Sequence, residues 1–135
     1  MGQRELTAAL VIEGRQLLLL QNTKHGTVRF EPPGGKRRPG ETIGACVVRE
    51  AREELGISIL LGKRLGVYAT ETPEGPFDVH MYFCSRSDGE PRICEPNKHA
   101  GFGWYQRGDL EHLRERGYLV PNLIRALNDL GKYLA

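Results

Sequence analysis

Two apolar runs near the start of the chain, residues 7–12 and 16–21, constrain the fold most strongly. Only Glu13-Gly14-Arg15 separates them, and such a short polar break between two strand-length apolar runs is typical of a tight turn. The pattern predicts a β-hairpin. Its uninterrupted apolar stretches, such as residues 17–20, are far shorter than the roughly 18 residues that span a bilayer. We therefore expect no membrane segment.

The rest of the chain alternates between strand and helix patterns. A short strand at 27–30 runs into Glu31-Pro32-Pro33-Gly34-Gly35, where two prolines and two glycines predict a rigid loop. Apolar residues then recur every three or four positions from the N-cap Thr42 to Gly56, which predicts a helix. Further strands are predicted at 59–70, 77–85 and 102–106, and further helices at 109–116 and from Pro121.

Length and composition bound the organisation and the partners. The chain has 135 residues, 39% hydrophobic and 27% charged, which fits one α+β domain over 1–135 with a mixed sheet flanked by helices. Its 19 basic and 17 acidic residues leave a net charge of only +2, which argues against non-specific nucleic-acid binding. Three cysteines without Cys-x-x-Cys spacing indicate reduced thiols and a cytoplasmic protein. The sequence leaves a homodimer open.

One face of the helix that begins after Thr42 is crowded with carboxylates. Glu50, Glu53 and Glu54 lie three and four residues apart, so all three project from one side. Like charges at these spacings repel by a few tenths of a kcal/mol per pair, and Arg49 offsets only about as much. The pattern alone fits either a solvated helix face or a metal site.

The residues before and after these glutamates favour a metal site. Residues 35–57 read GKRRPGETIGACVVREAREELGI, which matches the pattern G-x5-E-x7-R-E-U-x-E-E-x-G-U, where U is apolar. Its seven specified residues match by chance about once in a billion starting positions. The chain thereby resembles the Nudix hydrolases. The resemblance implies an α/β/α sandwich and the attack of water on phosphorus in a nucleoside diphosphate linked to another group.

The same resemblance implies a metal site and its cofactor. Glu50, Glu53 and Glu54 would be the ligands, joined by the carbonyl of Gly35. Mg²⁺ suits such hard oxygen ligands, with Mn²⁺ as a substitute.

The resemblance also implies roles for two supporting residues and for the general base. Arg49 would orient a glutamate, and Glu41 would brace the loop and helix. Glu53 is the first choice of general base. Glu95 is the alternative, because some family members use a base outside the motif, although a solvated loop carboxylate explains Glu95 as well.

A basic cluster follows the glycines, formed by Lys36, Arg37 and Arg38. At the last two of these positions, relatives commonly carry an apolar residue and a glutamate. The cluster would bind substrate phosphates or remain solvated. This departure affects the expected substrate and leaves the reaction type unchanged.

Other segments bear on the substrate. Residues 95–99, Trp104 and the helix start at Pro121 are similar to those of small MutT-like nucleoside triphosphate pyrophosphohydrolases. In those relatives aromatic and amide side chains hold the base, and Phe30, Phe102 and Asn122 could do so here, while a core role explains Phe102 and Trp104 equally well.

We therefore expect hydrolysis of a nucleoside triphosphate, common or oxidised, to the monophosphate and pyrophosphate. Two alternatives stay open. Pro73 lies near a proline of many ADP-ribose pyrophosphatases, although its turn-forming neighbours also explain it. An inactive Nudix module that binds a nucleotide or RNA through the basic cluster is the second alternative, which the three intact glutamates argue against.

Overall fold

The protein is described by a computed structural model that covers residues 4–23 and 26–135. Strands and helices follow the predicted order. The strands are β1 (Arg4–Glu13), β2 (Gln16–Asn22), β3 (Arg29–Glu31), β4 (Ser58–Thr72), β5 (Gly75–Asp88) and β6 (His99–Tyr105). The helices are α1 (Ile43–Leu55), α2 (Arg107–Glu115) and α3 (Pro121–Leu130), followed by a short 3-10 turn at Gly131–Tyr133.

The predicted hairpin forms the centre of the molecule. Gly14 and Arg15 both adopt positive φ, 56° and 58°, in its turn, as a tight two-residue hairpin turn requires. Alternate residues of β1 and β2 contact opposite helical layers. Ala8, Leu10, Leu17 and Leu19 belong to the cluster with α2 and α3, whereas Ala9, Val11, Leu18 and Leu20 belong to the cluster with α1. Burial on both faces explains why these runs are continuously apolar.

The sheet is mixed, which confirms the predicted α+β fold. β1 pairs in parallel with β5, from Arg4↔Phe77 to Val11↔Cys84, and β4 pairs antiparallel with β5. β2 leaves β1 after the turn and pairs antiparallel with both β3 and β6. The strand order is β3-β2-β1-β5-β4, with β6 also on β2.

Helix α1 begins and ends where the sequence predicts. The Thr42 hydroxyl accepts a hydrogen bond from the Ala45 amide at 3.1 Å, which satisfies a free amide of the first turn. Gly56 ends the helix with φ 68°, a left-handed conformation that favours glycine. These caps fix how the glutamate face of α1 is set against the loop before it.

Several predicted boundaries were wrong, and three of them have a clear physical cause. β3 covers Arg29–Glu31 instead of 27–30, because its bounds follow its pairing with β2, from Leu20↔Glu31 to Asn22↔Arg29. β6 begins at His99 instead of 102, where His99 pairs with Asn22 beside a register shift. α2 begins two residues before the predicted 109, because the Asp109 carboxylate accepts a hydrogen bond from the Gln106 amide at 2.8 Å in a capping box.

Within residues 4–23 and 26–135, no helix has the length and apolarity that crossing a membrane requires.

Candidate active site

The proline-glycine loop is fastened to β1 before the chain enters α1. The amides of Thr7 and Ala9 donate to the carbonyls of Gly35 and Pro33, at 2.9 and 2.8 Å. Gly34 lies so close to β1 that a Cβ there would stand 1.9 Å from the Thr7 carbonyl oxygen. Only glycine permits this approach.

Glu54 is buried beneath this loop. It is 8% exposed, and its Oε1 accepts a hydrogen bond from the Gly34 amide at 2.7 Å. Burial raises the pKa of Glu54 to about 9, and the charges of Glu50, Glu31 and Glu95 act in the same direction. The carboxyl group is therefore protonated at neutral pH unless a cation compensates its charge.

Glu50 lies beside Glu54 against the same loop. A Cβ on Gly35 would stand 2.7 Å from the Glu50 carboxylate, so the second glycine leaves room for that side chain. Burial raises the pKa of Glu50, while the hydrogen bond from Arg49 opposes the rise. The Gly35 carbonyl, a predicted ligand, accepts the Thr7 amide at 2.9 Å, the Thr7 hydroxyl at 3.3 Å and the Cys46 thiol at 3.8 Å. A metal would therefore have to displace a side-chain donor from this oxygen.

Arg49 connects the loop with the carboxylate face. Its Nε and Nη2 contact the two Glu41 oxygens at 2.7 and 3.0 Å, and its Nη1 contacts Glu50 at 2.8 Å and Glu53 at 3.1 Å. Nη2 also donates to the carbonyl of Lys36 at 3.1 Å. The hydrogen bonds from Arg49 lower the pKa of Glu41 to about 2. One guanidinium thus orients two of the three predicted metal ligands.

Glu95 reaches the same site from the turn before β6, together with a histidine that sequence reasoning missed. Glu95 pairs with Lys98 at 3.3 Å. Nε2 of the buried His99 lies 3.6 Å from Oε2 of Glu54. Potential ligand atoms of Glu54, Glu95 and His99 all lie within 4.8 Å of one another. The one sequence signal for placing His99 with Glu95 is their separation by four residues, which puts two side chains on one side of a helical turn.

This donor set fits a divalent cation. Glu50 and Glu54 are carboxylates held at the loop with little access to water, and Glu54 has a buried imidazole as its neighbour. Buried carboxylates in such proximity repel unless a cation lies between them. Hard oxygen ligands of this kind suit Mg²⁺ or Mn²⁺.

Asn122, predicted to bind a base, is buried at the start of α3. It lines a cavity of about 90 Å³ together with Glu31, Pro32, Gly34 and Gly35. Typical small-molecule pockets exceed about 300 Å³, so this cavity can hold only part of a nucleotide. It lies directly beside the loop that contacts Glu54.

The structure does not bring the two predicted aromatic side chains together. Phe30 packs against the α3 side of the core and meets Tyr105 edge-to-face at 5.7 Å. Phe102 is 38% exposed on β6 and is not among the residues that line the Asn122 cavity. Trp104 packs against the α1-side core, in agreement with the core role that the sequence allows for it.

The basic cluster is paired with carboxylates. Lys36 contacts Glu74 at 2.5 Å, and Arg37 contacts Glu5 at 2.6 Å. Lys36 and Arg37 line a groove of about 380 Å³. Arg38 reaches Glu53 at 3.3 Å. The cluster therefore lies next to the glutamate face instead of extending freely into solvent.

Comparison with known proteins identifies the class and then the family. Residues 3–124 match the family model described as the NUDIX domain. The chain is a hydrolase by its relatives, and it belongs to the Nudix family.

The relatives of this chain are named for different substrates. A putative 8-oxo-dGTP diphosphatase from Bacillus subtilis is 31% identical over 87% of this chain and 72% of its own. An NAD-capped RNA hydrolase from Citrobacter koseri is 29% identical, over 80% of this chain but only 41% of its own. The crystal structure of a MutT Nudix hydrolase from Burkholderia pseudomallei superposes with a TM-score of 0.76 at 27% identity, over 82% of this chain and 88% of that one.

The buried Glu54 gives a pH-dependent stability prediction. The raised pKa means that the folded protein favours protonated Glu54, so stability falls as pH rises from about 4.5 towards 9. Glu54→Gln removes the ionisation and keeps an oxygen for the Gly34 amide. In chelator-treated protein the variant should therefore raise Tm by about 3 °C or more at pH 8, the shift for about 1 kcal/mol in a chain of this size, and by less at pH 5.

Differential scanning fluorimetry checks this. Glu115→Gln, which alters an exposed carboxylate on α2, is the matched control and should leave Tm unchanged at both pH values. An equal effect of Glu54→Gln at pH 5 and pH 8 would contradict the buried, proton-binding state of Glu54.

Proposed function

We propose that the protein is a divalent-metal-dependent pyrophosphohydrolase that cleaves a nucleoside triphosphate to the monophosphate and pyrophosphate. The observation that carries the proposal is the burial of Glu54 under the glycine loop, beside Glu50 and within reach of Glu95. An acidic pocket of this kind is costly without a cation. The naming of the Bacillus subtilis relative as a putative 8-oxo-dGTP diphosphatase supports a triphosphate substrate.

Glu50, Glu53 and Glu54 would hold the ion, which we expect to be Mg²⁺, with Mn²⁺ able to replace it. When bound, the ion would supply positive charge against the phosphate oxygens and acidify a water molecule. Gly35 would add its carbonyl once the Thr7 hydroxyl and the Cys46 thiol, which contact this oxygen at 3.3 and 3.8 Å, turn away from it. Arg49 holds Glu50 and Glu53 in place before substrate arrives.

Glu53 is the proposed general base. Its side chain is 40% exposed, against 15% for Glu50, so it can reach water from the side on which a phosphate chain would lie. Water attacks the α- or β-phosphorus and a new P–O bond forms. The bond to the leaving pyrophosphate or nucleoside monophosphate breaks, and the water proton passes to the Glu53 carboxylate. Glu95 is the alternative acceptor.

Lys36 and Arg37 are the proposed contacts to the outer phosphates. Both line the groove beside the loop. The Lys36–Glu74 pair is largely open to solvent, and the Arg37–Glu5 pair is partly so. Exposed ion pairs contribute at most about 1 kcal/mol, so a phosphate can displace Glu74 or Glu5 at little cost.

Asn122 is the proposed base-reading residue, supported by its burial in the cavity next to the loop. Its amide offers both donor and acceptor. Phe30 is the proposed aromatic contact on this side of the sheet, held against the start of α3, where the Val120 amide donates to its carbonyl at 3.1 Å. Phe102 lies outside this cavity and has no part in the proposed base site.

Asn122→Ala should reduce discrimination between bases by about 5- to 150-fold, the effect of leaving one polar group unpaired, while the best substrate's kcat changes little. Asn128→Ala, an exposed position on the same helix, should leave discrimination unchanged. The measurement is kcat/KM across the common and oxidised nucleoside triphosphates. Equal selectivity in both variants would remove Asn122 from base recognition.

A substrate panel tests the proposed function as a whole. We expect higher kcat/KM for a nucleoside triphosphate than for ADP-ribose, with products identified by chromatography. ADP-ribose as the best substrate, yielding AMP and ribose phosphate, would overturn the triphosphate assignment. Absence of hydrolysis with any nucleotide at saturating Mg²⁺ would favour an inactive binding module.

A cytoplasmic location is likewise proposed, supported by Cys46, Cys84 and Cys94, which form no disulfide within the described part of the chain. A homodimer remains to be tested by light scattering.

A further inference from the structure

His99 is a buried imidazole without an explained role. It is 3% exposed, and its Nδ1 has no hydrogen-bond partner among residues 4–23 and 26–135. Its Nε2 lies 3.6 Å from the Glu54 carboxylate, too far for a hydrogen bond. A buried imidazole nitrogen without a partner among the described residues calls for a ligand or an ion.

The backbone holds His99 beside Glu95. The His99 amide donates to the Glu95 carbonyl at 3.0 Å, so the chain makes one helical turn and the two side chains, four residues apart, share a side. The Thr23 amide donates to the Lys98 carbonyl at 3.1 Å, and His99 pairs with Asn22 of β2. The imidazole is therefore placed by the sheet.

The surrounding charge favours a cation at this position. Glu54, Glu95 and His99 offer ligand atoms within 4.8 Å of one another. Lys98 contacts Glu95 at 3.3 Å, and no ion pair with a Lys or Arg reaches Glu54 among the described residues. Nε2 of His99 lies 3.6 Å from the second oxygen of Glu54, and an imidazole nitrogen is a common metal ligand.

We propose that His99 is a nitrogen ligand of the divalent-cation site, alongside Glu54 and Glu95, and that it raises the affinity of the site for a first-row transition ion such as Mn²⁺ while leaving the affinity for Mg²⁺ unchanged. Mg²⁺ is bound by oxygen and keeps much of its water, whereas imidazole binds transition ions. The inference rests on the proposed function, because it requires a cation at the glutamates. It assigns the metal preference of this chain to one residue.

Pulsed electron paramagnetic resonance with substoichiometric Mn²⁺ tests the coordination directly. In protein labelled with ¹⁵N-histidine, the Mn²⁺ signal should show the ¹⁵N coupling of a directly bound imidazole. His99→Asn should abolish it, and His112→Asn, at an exposed histidine of α2, should retain it. Absence of nitrogen coupling in the labelled wild-type protein would overturn the proposal, even if His99→Asn does not fold. So would a coupling that persists in His99→Asn.

Isothermal titration of Mn²⁺ and Mg²⁺ separately tests the preference. His99→Asn should weaken Mn²⁺ binding about 10-fold or more and change Mg²⁺ binding within about twofold. Equal losses for both ions would show that His99 only positions Glu54 and would overturn the proposal. Bound Mn²⁺ without nitrogen coupling leaves the proposed function intact, whereas Mn²⁺ binding unaffected by Glu54→Gln removes the metal site itself.

Discussion

Glu54→Gln should lower kcat for Mg²⁺-dependent hydrolysis by about 10²- to 10⁴-fold, the range typical for loss of a metal ligand or general base. Gln keeps the size of the side chain and the hydrogen bond from Gly34 but cannot supply a negative charge. Glu53→Gln should reduce kcat over the same range, because it removes the proposed proton acceptor.

The two variants should differ in metal binding. Glu54→Gln should weaken Mg²⁺ binding strongly, whereas Glu53→Gln, which retains the buried ligands Glu50 and Glu54, should weaken Mg²⁺ binding less than it lowers kcat. Glu115→Gln is the control for both and should keep full activity. Near-wild-type kcat in Glu53→Gln and Glu54→Gln together would contradict the assignment of the α1 glutamates as the catalytic centre.

Arg49→Ala should lower kcat/KM by about 10- to 100-fold, as is typical when a residue that orients metal ligands is lost. It would free Glu50 and Glu53 and leave the Glu41 carboxylate without its paired contacts at 2.7 and 3.0 Å. Arg49→Lys keeps the charge but cannot form this two-pronged contact, so it should restore only part of the activity.

The control for Arg49 lies on the same helix. Arg52 contacts Ser58 at 3.2 Å at the surface, and Arg52→Ala should retain activity within about twofold. Activity measured with saturating Mg²⁺, together with Tm, separates loss of ligand orientation from loss of fold. Full activity in Arg49→Ala would contradict the orienting role.

Elements defined by local signals could be predicted from the sequence. Gly14 and Arg15 mark the hairpin turn, and Thr42 and Gly56 mark the ends of α1, because turn and cap preferences depend on a few adjacent residues. The motif likewise brought Arg49 together with Glu50 and Glu53 as one unit, since all three lie on one helix.

Features set by distant pairing could not be predicted in the same way. The start of β6 depends on the pairing of His99 with Asn22, a contact across 77 positions of the chain. The same pairing places His99 at Glu54, and the loop contact of Gly34 with Glu54 spans 20 positions. Neither contact leaves a periodic pattern. The positions of Phe30 and Phe102 could not be predicted either, because aromatic character alone does not show that the two side chains lie apart.

Hydrolysis in H₂¹⁸O followed by ³¹P NMR and mass spectrometry tests the central claim most directly. With the preferred nucleoside triphosphate and Mg²⁺, the protein should release equal amounts of monophosphate and pyrophosphate, with one ¹⁸O atom in one of the two products. Chelation of the metal should abolish the reaction. Release of nucleoside diphosphate and orthophosphate, or turnover that persists in excess chelator, would contradict a metal-dependent pyrophosphohydrolase.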